Sequence, residues 1–401
     1  MERCRARDLG IEIGIFDAGP RGAITDVDGV LVGHATIVEG EGRLVPGRGP
    51  VRTGVTVVLP HAGNLFLQKA QAGYHVLNGF GKSAGLHQIR ELGVLETPIA
   101  LTNTLNVPLV ADALVEWSCG QASEIGIRTG TVNPVVGDVN DGYLNDIQGR
   151  HVRAVHLRGA IASAVNSGPG APVREGSVGG GTGCSCLGFK GGIGTSSRVL
   201  PARLGGWTVG ALVQTNFGGI LSVNGAPVGR ELGVYDFAPA DGGSSTKAED
   251  PGAAGPLGPA GDSGAEDGSC MIVIGTDAPL EGRQLGRVAR RCGLGLARTG
   301  FYSANGSGDF FIAFSTAQNV PHAGDPIRPV VRVADDALSA VFAATVEAVE
   351  EAVINSLTAA DTMVGRDGNA REGLPLGDLE RILDRYSARN WSSRLPPFGR
   401  I

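Results

Sequence analysis

The sequence lacks the segments by which proteins enter or cross membranes. Nowhere in its 401 residues do 18 apolar residues follow one another, which excludes an ordinary transmembrane helix. The N-terminal stretch MERCRARDLGIEIG carries charges and has no apolar core of about 7–15 residues, so it does not resemble a secretory signal peptide. We therefore expect a soluble, cytoplasmic protein that makes no membrane contact.

Basic clusters and metal-ligand patterns are scarce as well. The formal net charge is −6 and no basic run is longer than Arg290-Arg291, so we expect no nucleic-acid partner. The six cysteines are scattered, and without an export signal we expect them to be reduced thiols. Cys184-x-Cys186 lacks a second cysteine pair and the seven histidines show no ligand spacing, so the sequence predicts neither a metal site nor a cofactor.

Glycine, in contrast, is abundant, at 65 of 401 residues against an ordinary share of about 7%. Two clusters, at 179–183 and 191–195, invite comparison with phosphate-binding loops. Neither completes the G-x-G-x-x-G pattern, because Cys186 and Ser197 stand where the last glycine is required. Gly81-Lys82-Ser83 lacks the earlier glycine of a P-loop. We interpret these segments as close-packed turns.

One stretch has almost nothing to bury in a folded core. Ala238–Gly268 holds eight glycines and four prolines, and Leu257 is its one large aliphatic residue. Such a segment cannot offset its own ordering entropy, so we predict a flexible linker. It stops abruptly at Gly268, where the apolar run SCMIVIGT begins with Ser269.

A structureless loop of about 30 residues within a compact protein needs a reason. Our hypothesis is that the chain is cut between Gly268 and Ser269, which divides one domain into chains 1–268 and 269–401. Ser269 would then carry a free α-amine with a pKa of about 7.7–8.0, and such an amine is a base that activates the hydroxyl. The alternative is an uncut linker. Gly261-Asp262-Ser263-Gly264 mimics the nucleophile motif of trypsin-like proteases, but it lies in low-complexity sequence and we interpret it as accidental.

Apolar runs predict buried strands, and apolar residues three to four positions apart predict helices between them. Most of the strand-like runs are continuously apolar, as in strands covered on both faces. These runs are Ala23–Val32, Val55–Leu59, Ile99–Thr102, Thr208–Val213, Met271–Ile274 and Phe310–Phe314. The predicted helices contain Leu285–Leu296 (after a starter at Thr276–Pro279), Ala334–Leu357 and Asp378–Tyr386, followed by a tail over Asn390–Ile401. Interleaved strands and helices indicate a layered α/β domain, whose strand order the pattern leaves open.

Eight motifs occur along the chain in the order TGVTVVLP, TNTLNVP, NDGYLND, GGGTG, FKGGIGTSSR, VQTNFG, DGSCMIVIGTDAPL and NGSGD. In this order and spacing they resemble the DmpA/BapA-type aminopeptidases, which are self-processing N-terminal-nucleophile hydrolases, over roughly Gly22 to Leu357. The resemblance implies a four-layer αββα sandwich of the DmpA/ornithine-acetyltransferase type. It also implies an aminopeptidase or amidase that releases N-terminal residues from short peptides, amides or esters. The expected assembly is a homotetramer or larger of α/β heterodimers.

The resemblance also implies roles for single residues. Ser269 is the nucleophile at the new amino terminus, and Asn216 donates a hydrogen bond to the oxyanion. Tyr143, in NDGYLND, hydrogen-bonds the substrate or the tetrahedral intermediate. Ser307 and Asp309, in NGSGD, relay to the Ser269 amine and orient it; BapA-type members have a glutamate where this chain has the shorter Asp309.

Asp138 stands at a position where relatives often carry glutamate. The resemblance implies that Asp138 binds the free amine of the substrate. Local interpretations stay open for the other residues: Asn216 as a turn cap, Tyr143 as a packing aromatic, and Ser307-Gly308-Asp309 as a turn before a strand. Two alternative functions stay open too, namely acyl transfer as in ornithine acetyltransferases, which use a threonine nucleophile, and a scaffold that never cleaves. The pattern does not choose among L-, D- and β-amino acid substrates.

Overall fold

The computed structural model describes residues 2–238 and 268–393. Of the predicted linker Ala238–Gly268, only the two end residues fall within these ranges, and Ser263 lies outside them. Residues 394–401 of the predicted tail also lie outside the described residues.

The described residues contain fourteen strands and seven α-helices. The strands are β1 (Leu31–Glu39), β2 (Val51–Leu59), β3 (Gln68–Gly79), β4 (Val94–Leu95), β5 (Ile99–Asn103), β6 (Val135–Val139), β7 (Ser185–Cys186), β8 (Phe189–Lys190), β9 (Ile193–Val199), β10 (Thr208–Asn216), β11 (Ser269–Thr276), β12 (Gly308–Pro321), β13 (Met363–Val364) and β14 (Ala370–Arg371). The α-helices are α1 (Leu86–Leu92), α2 (Val107–Gln121), α3 (Ala154–Ser167), α4 (Val228–Leu232), α5 (Gly282–Arg298), α6 (Leu338–Thr358) and α7 (Leu376–Arg385).

Two sheets form the centre of the molecule. One has the strand order β1-β2-β5-β6 and the other the order β4-β3-β12-β11-β10-β9. Their inner faces pack on one another through apolar side chains such as Leu101 from the first sheet and Leu212, Met271 and Ile312 from the second. Side chains alternate along β11, so Met271 lies between the sheets and Ile272 lies on the opposite face. The two sheets therefore make a β-sandwich.

Helices cover the outer face of each sheet. α5 and α6 lie on the six-stranded sheet and contribute Val288 and Val349 to a shared core. α2 and α3 lie on the four-stranded sheet through Leu114 and Leu157. The layers follow the order α-β-β-α, which confirms the predicted four-layer sandwich. Within residues 2–238 and 268–393, no helix is both long and apolar enough to cross a membrane.

Continuous apolar runs predicted strands correctly where both strand faces are covered. The runs at Val55–Leu59, Ile99–Thr102, Thr208–Val213, Met271–Ile274 and Phe310–Phe314 all lie within observed strands. Every residue of β2, β10 and β11 is buried. One face of each strand meets the other sheet and the opposite face meets helices, so polar alternation is absent from these sequences.

The predicted strand at Ala23–Val32 is wrong over most of its length. The backbone turns into a short 3-10 helix at Ile24–Asp26, and the strand begins only at Leu31. The carboxylate of Asp26 accepts a hydrogen bond from the backbone N–H of Ala23 (3.0 Å), which stabilises the turn.

The predicted helices are present, and their observed starts differ from the predicted ones by a few residues. The helix expected after Thr276–Pro279 begins at Gly282, because Gln284 Oε1 accepts the backbone N–H of the N-cap residue (3.3 Å) and caps the helix there. The prediction over Ala334–Leu357 corresponds to α6, and the one over Asp378–Tyr386 corresponds to α7.

Strand β9 is polar, and the sequence does not predict it. Arg198 of this strand is fully buried and forms ion pairs with Glu347 (3.1 Å) and Glu351 (2.8 Å) of α6. A buried charge with two such partners takes a place that an apolar side chain would ordinarily occupy. The hydrophobic pattern therefore carries no sign of β9.

Close packing of α3 on β1 gives a test of the fold. A Cβ on Gly33 would lie 2.1 Å from the carbonyl oxygen of Ala160, whereas a Cβ on Gly159, on the outer side of α3, would meet nothing within 4 Å. We expect Gly33→Ala to lower the free energy of unfolding by about 1–3 kcal/mol. We expect Gly159→Ala to raise it by about 0.5–1 kcal/mol through helix propensity. Urea unfolding of these variants, kept as one uncut chain by Ser269→Ala, measures both changes, and effects of the same sign would contradict this packing.

Candidate active site

Ser269 is the first residue of β11, a strand in the middle of the six-stranded sheet. Its Cα pairs with Asn216, the last residue of β10, on one side and with Gly308, the first residue of β12, on the other. Because side chains alternate along a strand, Ser269 shares the sheet face of Met271, which looks onto the second sheet. Ser269 is 5% exposed. The predicted nucleophile therefore lies where the ends of three strands meet.

Asn216 stands directly opposite Ser269 in the antiparallel ladder, where two side chains lie on the same face. Its Oδ1 accepts the backbone N–H of Ser185 (2.9 Å), and its Nδ2 donates to the carbonyl oxygen of Asn140 (3.0 Å). These two hydrogen bonds fix the orientation of the amide. Since Nδ2 carries two hydrogens, one of them remains for a ligand.

A chain of contacts connects Tyr143 to Asn216. The guanidinium of Arg371 lies 3.8 Å from the centroid of the Tyr143 ring. Its Nε donates to Oγ of Ser185 (3.0 Å), the residue whose backbone N–H binds Asn216. Tyr143 is 39% exposed, and its ring is held by a cation and not by a surrounding apolar core.

The loop that carries Tyr143 is anchored by the buried Asp141. Its carboxylate accepts hydrogen bonds from Thr53 Oγ1 (2.5 Å) and Asn145 Nδ2 (2.9 Å). Burial raises the pKa of Asp141 to about 6, while these hydrogen bonds act in the opposite direction. Asp141, two residues before Tyr143 in the NDGYLND motif, thus fixes the shape of the loop.

Ser307 and Asp309 flank Gly308 at the start of β12. Ser307 Oγ donates to Asp309 Oδ1 (2.6 Å), and Ser303 Oγ donates to Asp309 Oδ2 (2.7 Å). Asp309 is fully buried and pairs with Cys270 in the parallel ladder. Burial raises the pKa of Asp309 to about 6, while the two hydroxyls and the backbone N–H of Cys270 act in the opposite direction.

Asp138 lies on β6, in the four-stranded sheet, and is 1% exposed. Its Oδ1 accepts the backbone N–H of Lys82 (3.0 Å) and the hydroxyl of Ser83 (3.1 Å). The same segment contacts the Ser307 turn, since the N–H of Phe80 donates to the carbonyl oxygen of Ser307 (3.2 Å). Asp138 is therefore connected to the site through one short segment, and its role towards a substrate amine stays a prediction.

The structure brings four of the six predicted residues together directly. Ser269, Asn216, Ser307 and Asp309 lie at the adjoining ends of β10, β11 and β12. Tyr143 joins this group through intermediate contacts, and Asp138 does so through the segment after β3.

Three further residues at the site have no prediction from the sequence. Ser185 and Arg371 hold Asn216 and Tyr143, and Ser303 holds Asp309. Ser185 lies two residues after the first glycine cluster, and that position is a signal that could have pointed to it. Arg371 and Ser303 stand in segments whose local pattern contains no motif.

The first glycine cluster is a close-packed turn that contains a short 3-10 helix at Gly179–Gly181. For the second cluster the prediction of a turn is wrong beyond Gly192, because β9 begins at Ile193, although the packing is as close as expected. A Cβ on Gly192 would lie 2.0 Å from the carbonyl oxygen of Gly176. Between the clusters, Lys190 is fully buried, and its Nζ donates to the carbonyl oxygens of Gly181 (3.1 Å) and Gly191 (2.6 Å). Burial lowers the pKa of Lys190 to about 8.

The model of peptidase family S58 matches residues 22–371. The chain belongs to peptidase family S58. This finding confirms the resemblance that the eight motifs indicate, and the matched range extends to Arg371 at the site.

Relatives of this S58 chain match it along nearly its whole length. The β-peptidyl aminopeptidase BapA of Sphingosinicella microcystinivorans is 42% identical over 385 residues, which cover 95% of this chain and 92% of that protein. The solved structure of a Burkholderia sp. β-aminopeptidase is 44% identical with a TM-score of 0.81, covering 95% of this chain and 99% of the other. The L-aminopeptidase D-Ala-esterase/amidase of Ochrobactrum anthropi, described as a variant of the Ntn hydrolase fold, is 37% identical with a TM-score of 0.83, covering 96% and 99%. The fold of the S58 chain is therefore that of an N-terminal-nucleophile hydrolase.

The buried Lys190 predicts a measurable dependence of stability on pH. Its pKa is about 8 in the folded chain against 10.5 for an ordinary lysine, so the folded state binds the proton more weakly than the unfolded state does. The stabilisation is complete above pH 10.5 and is lost as the pH falls through about 8. Between these limits, the free energy of unfolding of the wild type should rise relative to that of Lys190→Met by about 1.4 kcal/mol per pH unit. Urea unfolding at several pH values, with both proteins kept as one uncut chain by Ser269→Ala, tests this, and parallel profiles for the two proteins would contradict it.

Proposed function

We propose that this member of peptidase family S58 is a self-processing serine aminopeptidase, with Ser269 as the nucleophile and its own α-amine as the base. The observation that supports it most directly is the register at the start of β11, which sets Ser269 opposite Asn216 and beside Gly308. The relatives reported above are aminopeptidases by name. Neither acyl transfer nor a scaffold that never cleaves has a comparable observation in its favour.

The geometry around Gly268 supports a cut before Ser269. In the uncut chain the carbonyl oxygen of Gly268 accepts the backbone N–H of Gly308 (3.1 Å), so a donor already stands on the carbonyl that the hydroxyl must attack. Attack by Ser269 Oγ on the carbonyl carbon of Gly268 breaks the C–N bond, and the nitrogen takes the hydroxyl proton. The products are an ester and a free amine, and water then hydrolyses the ester. The result is two chains, 1–268 and 269–401, of one domain.

Glycine at position 268 suits this step because the space beside it is full. A Cβ there would lie 2.4 Å from Cα of Phe217 and 2.5 Å from the carbonyl oxygen of Asn216. Any larger residue would displace the peptide bond that has to be cut. The glycine at the junction is therefore a packing requirement of the site.

In substrate turnover the freed α-amine of Ser269 takes the proton of its own hydroxyl, which attacks the scissile carbonyl carbon. The second hydrogen of Asn216 Nδ2 donates to the oxyanion that develops, and Tyr143 contributes from the loop beside it. The leaving amine receives the proton, and water releases the acyl group from Ser269. Ser307 and Asp309 keep the amine of Ser269 oriented through this cycle.

The substrate in this proposal is a short peptide, amide or ester with a free N-terminal amine, which Asp138 and its neighbouring segment recognise. Two of the relatives reported above are β-aminopeptidases and one is an L-aminopeptidase with D-alanine esterase activity by name. β-Alanyl, L-alanyl and D-alanyl p-nitroanilides are therefore the first substrates to compare. A homotetrameric or larger assembly of α/β heterodimers in the cytoplasm completes the proposal.

The cut itself is the first test. Wild-type protein on a denaturing gel should give chains of 268 and 133 residues, the second beginning Ser-Cys-Met-Ile-Val. Ser269→Ala should stay intact and inactive, because it lacks the hydroxyl that attacks Gly268 in self-cleavage and the substrate in turnover. Gly268→Ala should cleave more slowly, since its Cβ lies within 2.5 Å of neighbouring backbone.

The control for this test is Ser263→Ala, which removes the rival serine of the linker and should cleave and work normally. Intact mass spectrometry gives the cleaved fraction, and N-terminal sequencing identifies the cut. A different first residue, or full activity from an uncut chain, would remove Ser269 from this role.

The oxyanion donor is tested by a pair of variants at Asn216. Asn216→Ala should lower kcat by about 10²-fold or more, the usual effect of losing such a donor. Asn216→Asp keeps an acceptor for the N–H of Ser185 but has no N–H to donate, so its kcat should fall by a similar factor. Steady-state kinetics on protein that has been fully cleaved measures both. Wild-type kcat in Asn216→Asp would show that the donor lies elsewhere.

A further inference from the structure

The carboxylate of Asp309 is held by two serine hydroxyls, one on each oxygen. Ser307 is 2.6 Å from Oδ1 and Ser303 is 2.7 Å from Oδ2. Ser307 precedes Asp309 by two residues, whereas Ser303 belongs to the loop that leads from α5 towards β12. Asp309 pairs with Cys270 of β11 in the parallel ladder. Asp309 is therefore a fully buried carboxylate whose two oxygens are each held by a serine hydroxyl.

The backbone of Ser303 indicates that its side chain is needed. Its φ is +58°, in the left-handed region that favours glycine and that other residues adopt at an energetic cost. Residues kept in such conformations occur preferentially at functional sites. At Ser303 the observable result of this conformation is the hydrogen bond to Asp309 Oδ2.

A buried carboxylate is usually paired with a cation, but the groups around Asp309 are neutral hydroxyls, a thiol and an amide. β11 presents the thiol of Cys270, whose pKa burial raises well above its ordinary value. β3 presents the neutral Asn78, whose Nδ2 donates to the carbonyl oxygen of Ser307 (2.7 Å). Tyr302, next to Ser303, donates its hydroxyl to Asp236 (2.6 Å). Within the described residues, no lysine or arginine is among the groups that stabilise the Asp309 carboxylate.

We propose that Ser303 is a positioning residue which, together with Ser307, holds the Asp309 carboxylate towards the amino terminus that cleavage creates at Ser269. This inference rests on the proposed function, because the amine exists only in the cut chain. The amine of Ser269 starts β11, one residue before Cys270, which pairs with Asp309 in the parallel ladder. When the amine takes the hydroxyl proton, the oriented carboxylate stabilises the ammonium that forms. Ser303 acts through Asp309 and touches no reacting atom.

The test is Ser303→Gly, which removes the hydroxyl and accepts the left-handed backbone without strain. A buried carboxylate that loses a hydrogen-bond donor ionises less readily. The Ser269 amine, with its pKa of about 7.7–8.0, sets the midpoint of the acidic limb of kcat/KM against pH, so the part of this limb below about pH 7 should become steeper and shift to higher pH. The expected loss of kcat/KM is about tenfold at pH 6 and much smaller at pH 9. Ser303→Ala, which keeps the Cβ, should give the same shift. If either variant cleaves slowly, its kinetics are measured on the fully cleaved fraction, because the amine that Asp309 contacts exists only there.

The matched control is Ser387→Gly. Ser387 also has a left-handed backbone (φ +55°), but it lies after α7 and makes no contact with Asp309, so its pH profile should equal that of the wild type. A uniform loss at every pH in Ser303→Gly, or an unchanged profile, would overturn the inference. Wild-type activity in Asp309→Asn would overturn it as well.

These outcomes separate the inference from the function on which it rests. A cleaved and active wild type whose profile does not respond to Ser303→Gly defeats only the role of Ser303. An uncut but active chain, or activity in Ser269→Ala, defeats the proposed function itself.

Discussion

The site depends on the register of β11 between its two neighbours. Ser269 meets Asn216 and Gly308 because Met271 faces the second sheet and Cys270 faces the helices. A shift of one residue would exchange the two faces of the strand and turn Ser269 towards the helices. Cys270 would then take its place, with a thiol whose pKa is raised by burial well above the range in which it ionises readily. Apolar packing on both faces of β11 is therefore what places a polar residue at its end.

Around this register, several buried polar groups hold the backbone. Asp141 fixes the loop of Tyr143, and Lys190 binds two carbonyl oxygens in the glycine-rich turns. These carbonyls are within reach because the glycine clusters allow backbone segments to approach closely. The high glycine content thus serves the interior of the sandwich as well as the linker. The price is a set of buried groups with displaced pKa values, such as those of Asp141 and Lys190.

The sequence predicts those parts of the fold and site whose signal is local. The apolar runs at 271–274 and 310–314 identify two neighbouring strands, and the end of the linker identifies Ser269. The same reasoning fails at Ala23–Val32, where the side chain of Asp26 bends the backbone, and at β9, where Arg198 is paired inside the protein. At Ala23–Val32 a side chain three residues away overrides the apolar pattern, whereas at β9 a residue distant in sequence does so.

The supporting residues of the site follow the same rule. Ser303 is distinguished by its left-handed backbone conformation. Arg371 is distinguished by its contact with the ring of Tyr143, which lies more than 200 residues earlier in the chain. Neither property is visible in a window of neighbouring residues. Motif order identified the family and the residues in the strand ends, whereas the residues that orient them required the three-dimensional structure.

The central position of β11 has a consequence for how the enzyme can be made. In the cut form this strand belongs to the second chain, yet it is hydrogen-bonded to β10 of the first and to β12 of its own. The two chains therefore share one sheet, and separating them means unfolding both. Refolding would then require two molecules to meet, whereas the first folding needs only one. If the chain is cut as proposed, the native structure would persist through slow unfolding and not through a reversible equilibrium.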